Sequence, residues 1–168
     1  LGELIHNEDV VNVLKAKGMR VVETPEEVSA GERVLVRAHG AAPEVYAALE
    51  KAGAEIHDAT CPKVRAIHKI VAKAKEEGRF TIVIGMRAHP EVNAICGWCG
   101  DHVVLENAEE VKKWLNNQPD PWEKPITVVV QTTQTHSNFT ECCEFIKKRC
   151  TNAKISDTIC LATFTRQE

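Results

Sequence analysis

The sequence lacks several features by which broad functional classes are recognised. It contains no Walker-type phosphate loop and no glycine-rich dinucleotide fingerprint, so neither kind of nucleotide-binding loop is indicated. Its longest apolar runs, such as residues 126–130, are far too short to span a bilayer. The formal net charge is −3, which gives no support to a nucleic-acid partner or an anionic-membrane partner.

The seven cysteines are odd in number and irregularly spaced. A secreted disulfide framework is therefore not expected, and the cysteines indicate a reducing cytosol with ligand or catalytic thiols. The first residue is not methionine, and the last residues stop where a helix should begin. We therefore expect the sequence to be a fragment of a longer protein, truncated at both ends.

Short apolar segments that predict strands alternate with longer segments of helical periodicity along the whole chain. Several strand segments are apolar on both faces, which is typical of parallel sheets covered by helices. The predicted strands are 19–22, 33–37, 55–57, 80–84, 102–105, 126–130 and 153–156. The main predicted helices are 8–17, 43–53, 63–77, 90–96, 107–115 and 137–150.

The predicted fold is α/β, made of small parallel-sheet units that repeat around a central site. Residues 35–39 and 84–89 both leave a strand with the order Arg, Ala, His, and an Asp-x-x-Cys turn occurs at 58–61 and again at 157–160. The units are predicted at 1–61, with its N-terminal part missing, at 62–156, and at 157–168, where a third unit only begins.

The two Asp-x-x-Cys turns place Cys61 and Cys160 where a strand ends and a helix should start. Unpaired backbone N–H groups and the helix dipole favour a thiolate at such a position. Two thiolates on separate loops suit a soft metal or an iron–sulfur cluster better than a zinc knuckle, whose ligands come in close pairs. Cys96 and Cys99 are such a pair, but their place late in a helix favours an interpretation as small buried residues.

Most of the other polar residues that could bind or react with a ligand lie just after predicted strands. Open parallel sheets bind ligands at these strand ends. These exits carry His39, Cys61, His89, Glu91, residues 131–133 and Cys160. Glu91 is either a first-turn acid favoured by the helix dipole or a proton donor beside a histidine. His6, before the first helix, is interpreted as a cap-region residue, and the other histidines are interpreted as structural.

Together these motifs resemble the family of 4-hydroxy-3-methylbut-2-enyl diphosphate reductases, the LytB family. The resemblance covers the whole chain in order. The matching stretches are Ile-His-Asn at 5–7, Ala-His-Gly at 38–40, Asp-Ala-Thr-Cys-Pro at 58–62, His-Pro-Glu-Val at 89–92, Gln-Thr-Thr at 131–133, and Asp-Thr-Ile-Cys-Leu-Ala-Thr at 157–163.

The resemblance implies a fold of three similar α/β units around a 4Fe–4S cluster, of which this chain holds about two. It implies that Cys61 and Cys160 are two of three cysteine ligands. It assigns Glu91 as the proton donor and Thr132 to the hydroxyl end of the substrate. Three histidines match residues that hold the substrate diphosphate or line its pocket, namely His6, His39 and His89.

The implied reaction is reductive removal of an allylic hydroxyl with two electrons and two protons, giving isopentenyl and dimethylallyl diphosphates. The implied electron donor is a ferredoxin or a flavodoxin. The third cysteine, in a Gly-Phe-Cys motif, and a late Ser-x-Asn motif would lie outside these 168 residues. With two of three thiolates, the chain alone is expected to be inactive. Met86 and Ala94 also depart from the family, which often has histidine and glycine there.

Two other interpretations of the same residues stay open at this point. One is a zinc-dependent hydrolase that uses His39, His89 and Glu91. The other is a non-catalytic α/β module in which Cys61 and Cys160 are buried thiols.

Overall fold

Two parallel sheets organise the chain in a computed structural model that describes residues 1, 8–119 and 122–160. The strands are β1 (Arg33–Val36), β2 (Glu55–Asp58), β3 (Phe80–Ile84), β4 (His102–Leu105), β5 (Ile126–Val130) and β6 (Ala153–Ile155). The helices are α1 (Glu8–Ala16), α2 (Pro43–Lys51), α3 (Pro62–Glu76), α4 (Pro90–Trp98), α5 (Ala108–Asn116) and α6 (His136–Arg149), with a 3-10 turn at Pro25–Glu27.

Strands β1 and β2 form one sheet, and the other four strands form a second sheet in the order β4-β3-β5-β6. Every pairing between these strands is parallel, which confirms the predicted α/β class. The strand predicted at 19–22 is wrong, because this segment pairs with no described strand. Only Val22 of that segment is buried, in the small core beside β1.

The four-stranded sheet is the middle layer of a three-layer sandwich. Ile82 and Ile84 of β3 point into a core shared with α5 and α6, whereas Val83 points into a core shared with α3 and α4. Each of these three side chains is fully buried, and such burial contributes roughly 1.5–3 kcal/mol per side chain. Burial on both faces explains why these strands are continuous apolar runs.

The smaller sheet packs through its own core and contacts the larger unit closely at the end of α4. Val34, Val36 and Leu49 are centred in the small core. The indole N–H of Trp98, at the end of α4, donates to the carbonyl of Ala41 at 2.9 Å. Gly97 lies so close to α2 that a Cβ there would be 2.3 Å from the Cβ of Ala42. In the part of the chain that is described, no helix is long and apolar enough to cross a bilayer.

Candidate functional site

Residues at the ends of β1, β3 and β5 meet at one place, although they belong to two sheets. Within each sheet the strands are parallel, so their carboxyl ends share an edge. His39 follows β1 and His89 follows β3, and their rings meet edge to face with centroids 5.2 Å apart. This contact brings the exit loops of the two sheets together.

Glu91 and Thr132 form the most buried polar pair of the site. Glu91 is 2% exposed and Thr132 is 6% exposed. The Thr132 backbone N–H donates to Glu91 Oε1 at 2.7 Å, and the Thr132 hydroxyl donates to Glu91 Oε2 at 2.6 Å. A buried carboxylate needs such donors, because an unsatisfied one is costly to desolvate. The pair therefore holds the acid in one orientation.

His89 is the N-cap residue of α4, and its ring is oriented by the helix that follows. Its Nδ1 accepts a hydrogen bond from the backbone N–H of Glu91 at 3.1 Å. A neutral imidazole that accepts at Nδ1 carries its proton on Nε2. His89 therefore carries its ring donor at Nε2, and Glu91 lies in the first turn of α4, a position favoured by the dipole.

Gln131 aligns the exit loops of β3 and β5. Its side-chain carbonyl accepts from the Met86 backbone N–H at 3.0 Å, and its amide donates to the Thr133 hydroxyl at 2.8 Å. Gly85 permits this approach, since a Cβ there would lie 2.9 Å from Gln131 Oε1. Gln131 thus fixes the loop before Glu91 relative to the loop that carries Thr132.

The two Asp-x-x-Cys turns have the same local geometry. Asp58 Oδ1 accepts from the Thr60 backbone N–H at 2.9 Å, and Asp157 Oδ1 accepts from the Ile159 backbone N–H at 3.1 Å. In each turn the aspartate thereby bonds the backbone two residues ahead, just before the cysteine. Such turns are a favoured use of aspartate.

Each cysteine is also tied to the exit loop of the neighbouring strand. The Cys61 backbone N–H donates to the Ala38 carbonyl at 2.9 Å, and the Cys160 backbone N–H donates to the Thr132 carbonyl at 2.8 Å. Ala38 precedes His39 in the chain. A continuous path of contacts therefore runs from Cys61 through the histidines and Glu91 to Thr132 and Cys160.

The predicted thiol donors suit a soft metal in kind but are incomplete in number. Cys61 and Cys160 are half-buried and form no disulfide. Within the described residues, no group of three or more His, Cys, Asp or Glu side chains could hold a metal ion. Two sulfur donors, each anchored through its backbone, thus fit part of an iron–sulfur site. His6 lies outside the described residues.

The other cysteines differ from these two. Burial raises the pKa of Cys96, and it raises the pKa of Cys99 to about 12. Cys99 is 7% exposed, and its thiol points to the Ile95 carbonyl at 3.4 Å. Burial likewise raises the pKa of Cys142 to about 12 and of Cys143 to about 11. These groups stay protonated thiols at neutral pH. Cys99 is buried, as the sequence predicts, whereas Cys96 is only half-buried.

His68 lies beneath the His39 loop and was predicted only as a structural histidine. Its ring stacks on Trp98 with centroids 5.4 Å apart. Gly40, at a φ of +73°, lets the chain pass over this ring, since a Cβ there would lie 2.6 Å from His68 Cε1. The helical periodicity of α3 would have predicted that His68 is buried. Its contact with the loop that carries His39 and Gly40 depends on packing between distant segments.

Comparisons with known proteins identify relatives of the chain in sequence and in fold. The profile of the family described as LytB protein matches residues 1–168. The 4-hydroxy-3-methylbut-2-enyl diphosphate reductases of Caldanaerobacter subterraneus and Aquifex aeolicus are 36% and 37% identical to the chain. Each alignment covers 100% of this chain and 57% of the relative.

Two solved structures share the fold. A structure of (E)-4-hydroxy-3-methyl-but-2-enyl diphosphate reductase, the terminal enzyme of the non-mevalonate pathway, is 36% identical with a TM-score of 0.84. The Plasmodium falciparum reductase is 27% identical with a TM-score of 0.85. Both cover 99% of this chain, which spans 58% and 52% of theirs. The chain belongs to the LytB protein family.

Proposed function

We propose that the protein containing this chain reduces 4-hydroxy-3-methylbut-2-enyl diphosphate to isopentenyl and dimethylallyl diphosphates. The observation that carries the proposal is the buried Glu91–Thr132 pair, in a chain that matches the LytB family from end to end. The C–O bond of the allylic alcohol breaks with uptake of two electrons. One proton leaves with the oxygen as water, and a second proton goes to carbon.

The histidines of the exit loops would bind the diphosphate. His89 presents a donor at Nε2 because its Nδ1 accepts from the backbone N–H of Glu91. His39 contacts the His89 ring edge to face, so both rings can face one anionic group. Donors of this kind form strong hydrogen bonds to phosphate oxygens. His6 would add a third donor, as the family resemblance implies.

The Glu91–Thr132 pair would supply protons. When Glu91 is ionised, the Thr132 hydroxyl donates to it at 2.6 Å. When Glu91 is protonated, the acid can donate to the Thr132 oxygen, and that hydroxyl is then released to donate to the substrate oxygen. Proton delivery to a leaving oxygen typically contributes about 10²–10⁴-fold to a rate. Burial of both residues excludes water as a competing donor.

Cys61 and Cys160 would hold an iron–sulfur cluster together with a third cysteine outside this chain. When bound, the cluster supplies the electrons and a Lewis-acidic iron. The chain itself anchors both ligand loops by backbone bonds to Ala38 and Thr132. Free cysteines that serve as metal ligands persist in a reducing compartment, which supports a cytosolic location.

The test is turnover of the full-length protein, purified without oxygen, with a small-molecule reductant. Glu91→Gln keeps the size of the side chain and one acceptor for the Thr132 backbone N–H, while its amide can donate to the Thr132 oxygen. It cannot supply the proton, so we expect a rate at least 100-fold lower. Lys112→Glu, a distant surface variant, should retain the full rate. Formation of both diphosphate products by Glu91→Gln at the wild-type rate would contradict the proposed role.

The chain on its own is proposed to be inactive, because two thiols cannot complete a three-cysteine site. Reductase activity of the 168 residues after reconstitution with iron and sulfide would overturn this. The zinc hydrolase and the non-catalytic module gain no support from the relatives, which are named as reductases.

A further inference from the structure

Helix α4 connects two functional positions of the site, one at each of its ends. His89 is the N-cap residue that precedes the helix, and Trp98 is its last residue. The nine residues of the helix span roughly 13 Å at about 1.5 Å per residue. The hydrogen bonds of a short helix keep its two ends in a fixed relation. Any segment that Trp98 holds therefore has a fixed place relative to His89.

Trp98 holds the loop that carries His39. Its indole N–H donates to the carbonyl of Ala41 at 2.9 Å, two residues after His39 in the chain. Ala41 is 7% exposed, and a buried carbonyl that loses its donor costs free energy. This hydrogen bond therefore fixes the second half of the loop to the end of α4.

The ring of Trp98 is itself supported by His68. The two rings stack with centroids 5.4 Å apart and an angle of 18° between their planes. His68 is 5% exposed, and it lies under Gly40, the residue that follows His39. The stacked pair therefore contacts the loop twice, through the indole N–H at Ala41 and through the imidazole beneath Gly40.

The first half of the same loop is anchored by other contacts. The Cys61 backbone N–H donates to the Ala38 carbonyl at 2.9 Å, and the Gly40 backbone N–H donates to the Arg37 carbonyl at 3.0 Å. These bonds hold the loop beside the smaller sheet. The bond from Trp98, in contrast, ties the loop to the helix that begins at His89.

The contact between the two histidine rings depends on where each loop is held. The ring centroids of His39 and His89 are 5.2 Å apart, although the rings follow strands of different sheets. Two donors bind one diphosphate tightly only when both are in place beforehand, because ordering a loop on binding lowers the apparent affinity. Helix α4 places His89 directly, and it places His39 through Trp98.

We propose that Trp98 is a positioning residue for diphosphate binding, which acts through the loop of His39. This inference rests on the proposed function, in which His39 and His89 bind the diphosphate. The single N–H of Trp98 is used at Ala41, and the pair that supplies protons lies at the other end of α4. Loss of this N–H should therefore weaken binding and leave the proton transfer unchanged.

The test uses the full-length protein and two matched variants. Trp98→Phe keeps an aromatic ring beside His68 but removes the N–H donor. Trp114→Phe makes the same substitution at another half-buried tryptophan, which stacks on Phe80 across the sheet. We expect the Kd of inorganic diphosphate, measured by titration calorimetry, and the KM of the substrate to rise about five- to tenfold in Trp98→Phe only. The kcat should stay within about twofold of the wild type in both variants.

A double-mutant cycle shows whether the effect passes through His39. In the His39→Asn background the imidazole is absent, so the addition of Trp98→Phe should change the Kd of diphosphate by less than about twofold. An equal fold-change in both backgrounds would overturn the inference. An unchanged Kd in Trp98→Phe, a fall in kcat with KM unchanged, or equal rises in Trp98→Phe and Trp114→Phe would overturn it as well.

Failure of the reductase function would give a different result. If the wild type binds inorganic diphosphate but does not reduce 4-hydroxy-3-methylbut-2-enyl diphosphate, the proposed reaction is refuted, and calorimetry still decides the role of Trp98. If the wild type does not bind inorganic diphosphate, the binding role of His39 and His89 is refuted, together with this inference.

Discussion

Thr132 bonds both carboxylate oxygens of Glu91, one through its backbone N–H and one through its hydroxyl. Thr132 lies on the exit loop of β5, and Glu91 lies in the first turn of α4, which follows the adjacent strand β3. One residue, through its backbone and its side chain, therefore fixes the orientation of the acid and supplies a hydroxyl through which its proton can leave. The same two hydrogen bonds therefore satisfy a buried carboxylate and connect it to a hydroxyl that can pass on its proton.

Substitution of Thr132 separates these two effects. Thr132→Val removes the hydroxyl but keeps the backbone donor, so Glu91 Oε2 loses its partner while buried. We expect unfolding in urea to require about 1–3 kcal/mol less free energy and the reductase rate to fall at least 100-fold in the full-length protein. Thr132→Ser keeps the hydroxyl and should retain most of the stability and most of the reductase rate. Equal rates for the valine and serine variants would exclude a role for the hydroxyl.

The aspartates of the two cysteine turns should control how well the thiols bind iron. Asp157→Ala removes the acceptor for the Ile159 N–H, so the loop before Cys160 loses its turn. We expect lower iron and sulfide content in the purified full-length protein, whereas Asp157→Asn, which keeps an Oδ1 acceptor, should load normally.

Asp101→Ala is the matched control, because Asp101 is an exposed aspartate outside the two turns. The iron content of purified Asp157→Ala, Asp157→Asn and Asp101→Ala shows whether the turn before Cys160 is needed for loading. Full loading of Asp157→Ala would show that the turn is not needed to position Cys160.

Sequence periodicity was enough to predict the layers of the larger unit. Ile82, Val83 and Ile84 alternate between two cores, and such a short apolar run is typical of a strand buried on both faces. The segment 19–22 is apolar at three of its four positions but has no strand beside it in the described chain. A strand needs a partner, and apolar residues alone do not show whether one is present.

Contacts within the candidate site were predictable where both residues belong to one short motif, and not where two loops meet. His89 and Glu91 share a short motif, and their mutual contact through the Glu91 N–H is local. The contact of His39 with His89 joins two sheets. The stacking of His68 on Trp98 joins two helices. Such contacts depend on packing between distant segments, which no spacing along the chain reveals.

The close approach of Gly97 to Ala42 predicts a specific weakness between the two units. Gly97→Ala would place a Cβ 2.3 Å from the Cβ of Ala42, so α4 and α2 must separate. We expect the free energy of unfolding to fall by about 1–3 kcal/mol, as overpacking usually costs. Gly100→Ala meets only the flexible Lys75 side chain, at 3.3 Å, and should be neutral. Urea denaturation, monitored by circular dichroism, measures the stability of both variants. Equal stabilities of Gly97→Ala and Gly100→Ala would contradict the close packing of α4 against α2.

His68 should make the stability of the chain depend on pH below neutrality. Burial lowers the pKa of His68 from 6.5 to about 4, so the folded chain keeps this ring neutral where the unfolded chain protonates it. Above pH 6.5 the ring is neutral in both states and costs nothing. As the pH falls from 6.5 toward 4, the unfolded state gains protons and the free energy of unfolding falls, by up to about 3 kcal/mol.

Chemical denaturation between pH 5 and pH 7 tests this window, above the range in which most carboxylates titrate. His68→Gln cannot take up the proton, so its stability, although lower at pH 7, should change less with pH than that of the wild type. His102→Gln removes an exposed histidine and should keep the wild-type slope. If His68→Gln retains the full pH slope, another group titrates, and the buried ring is not the cause of acid sensitivity.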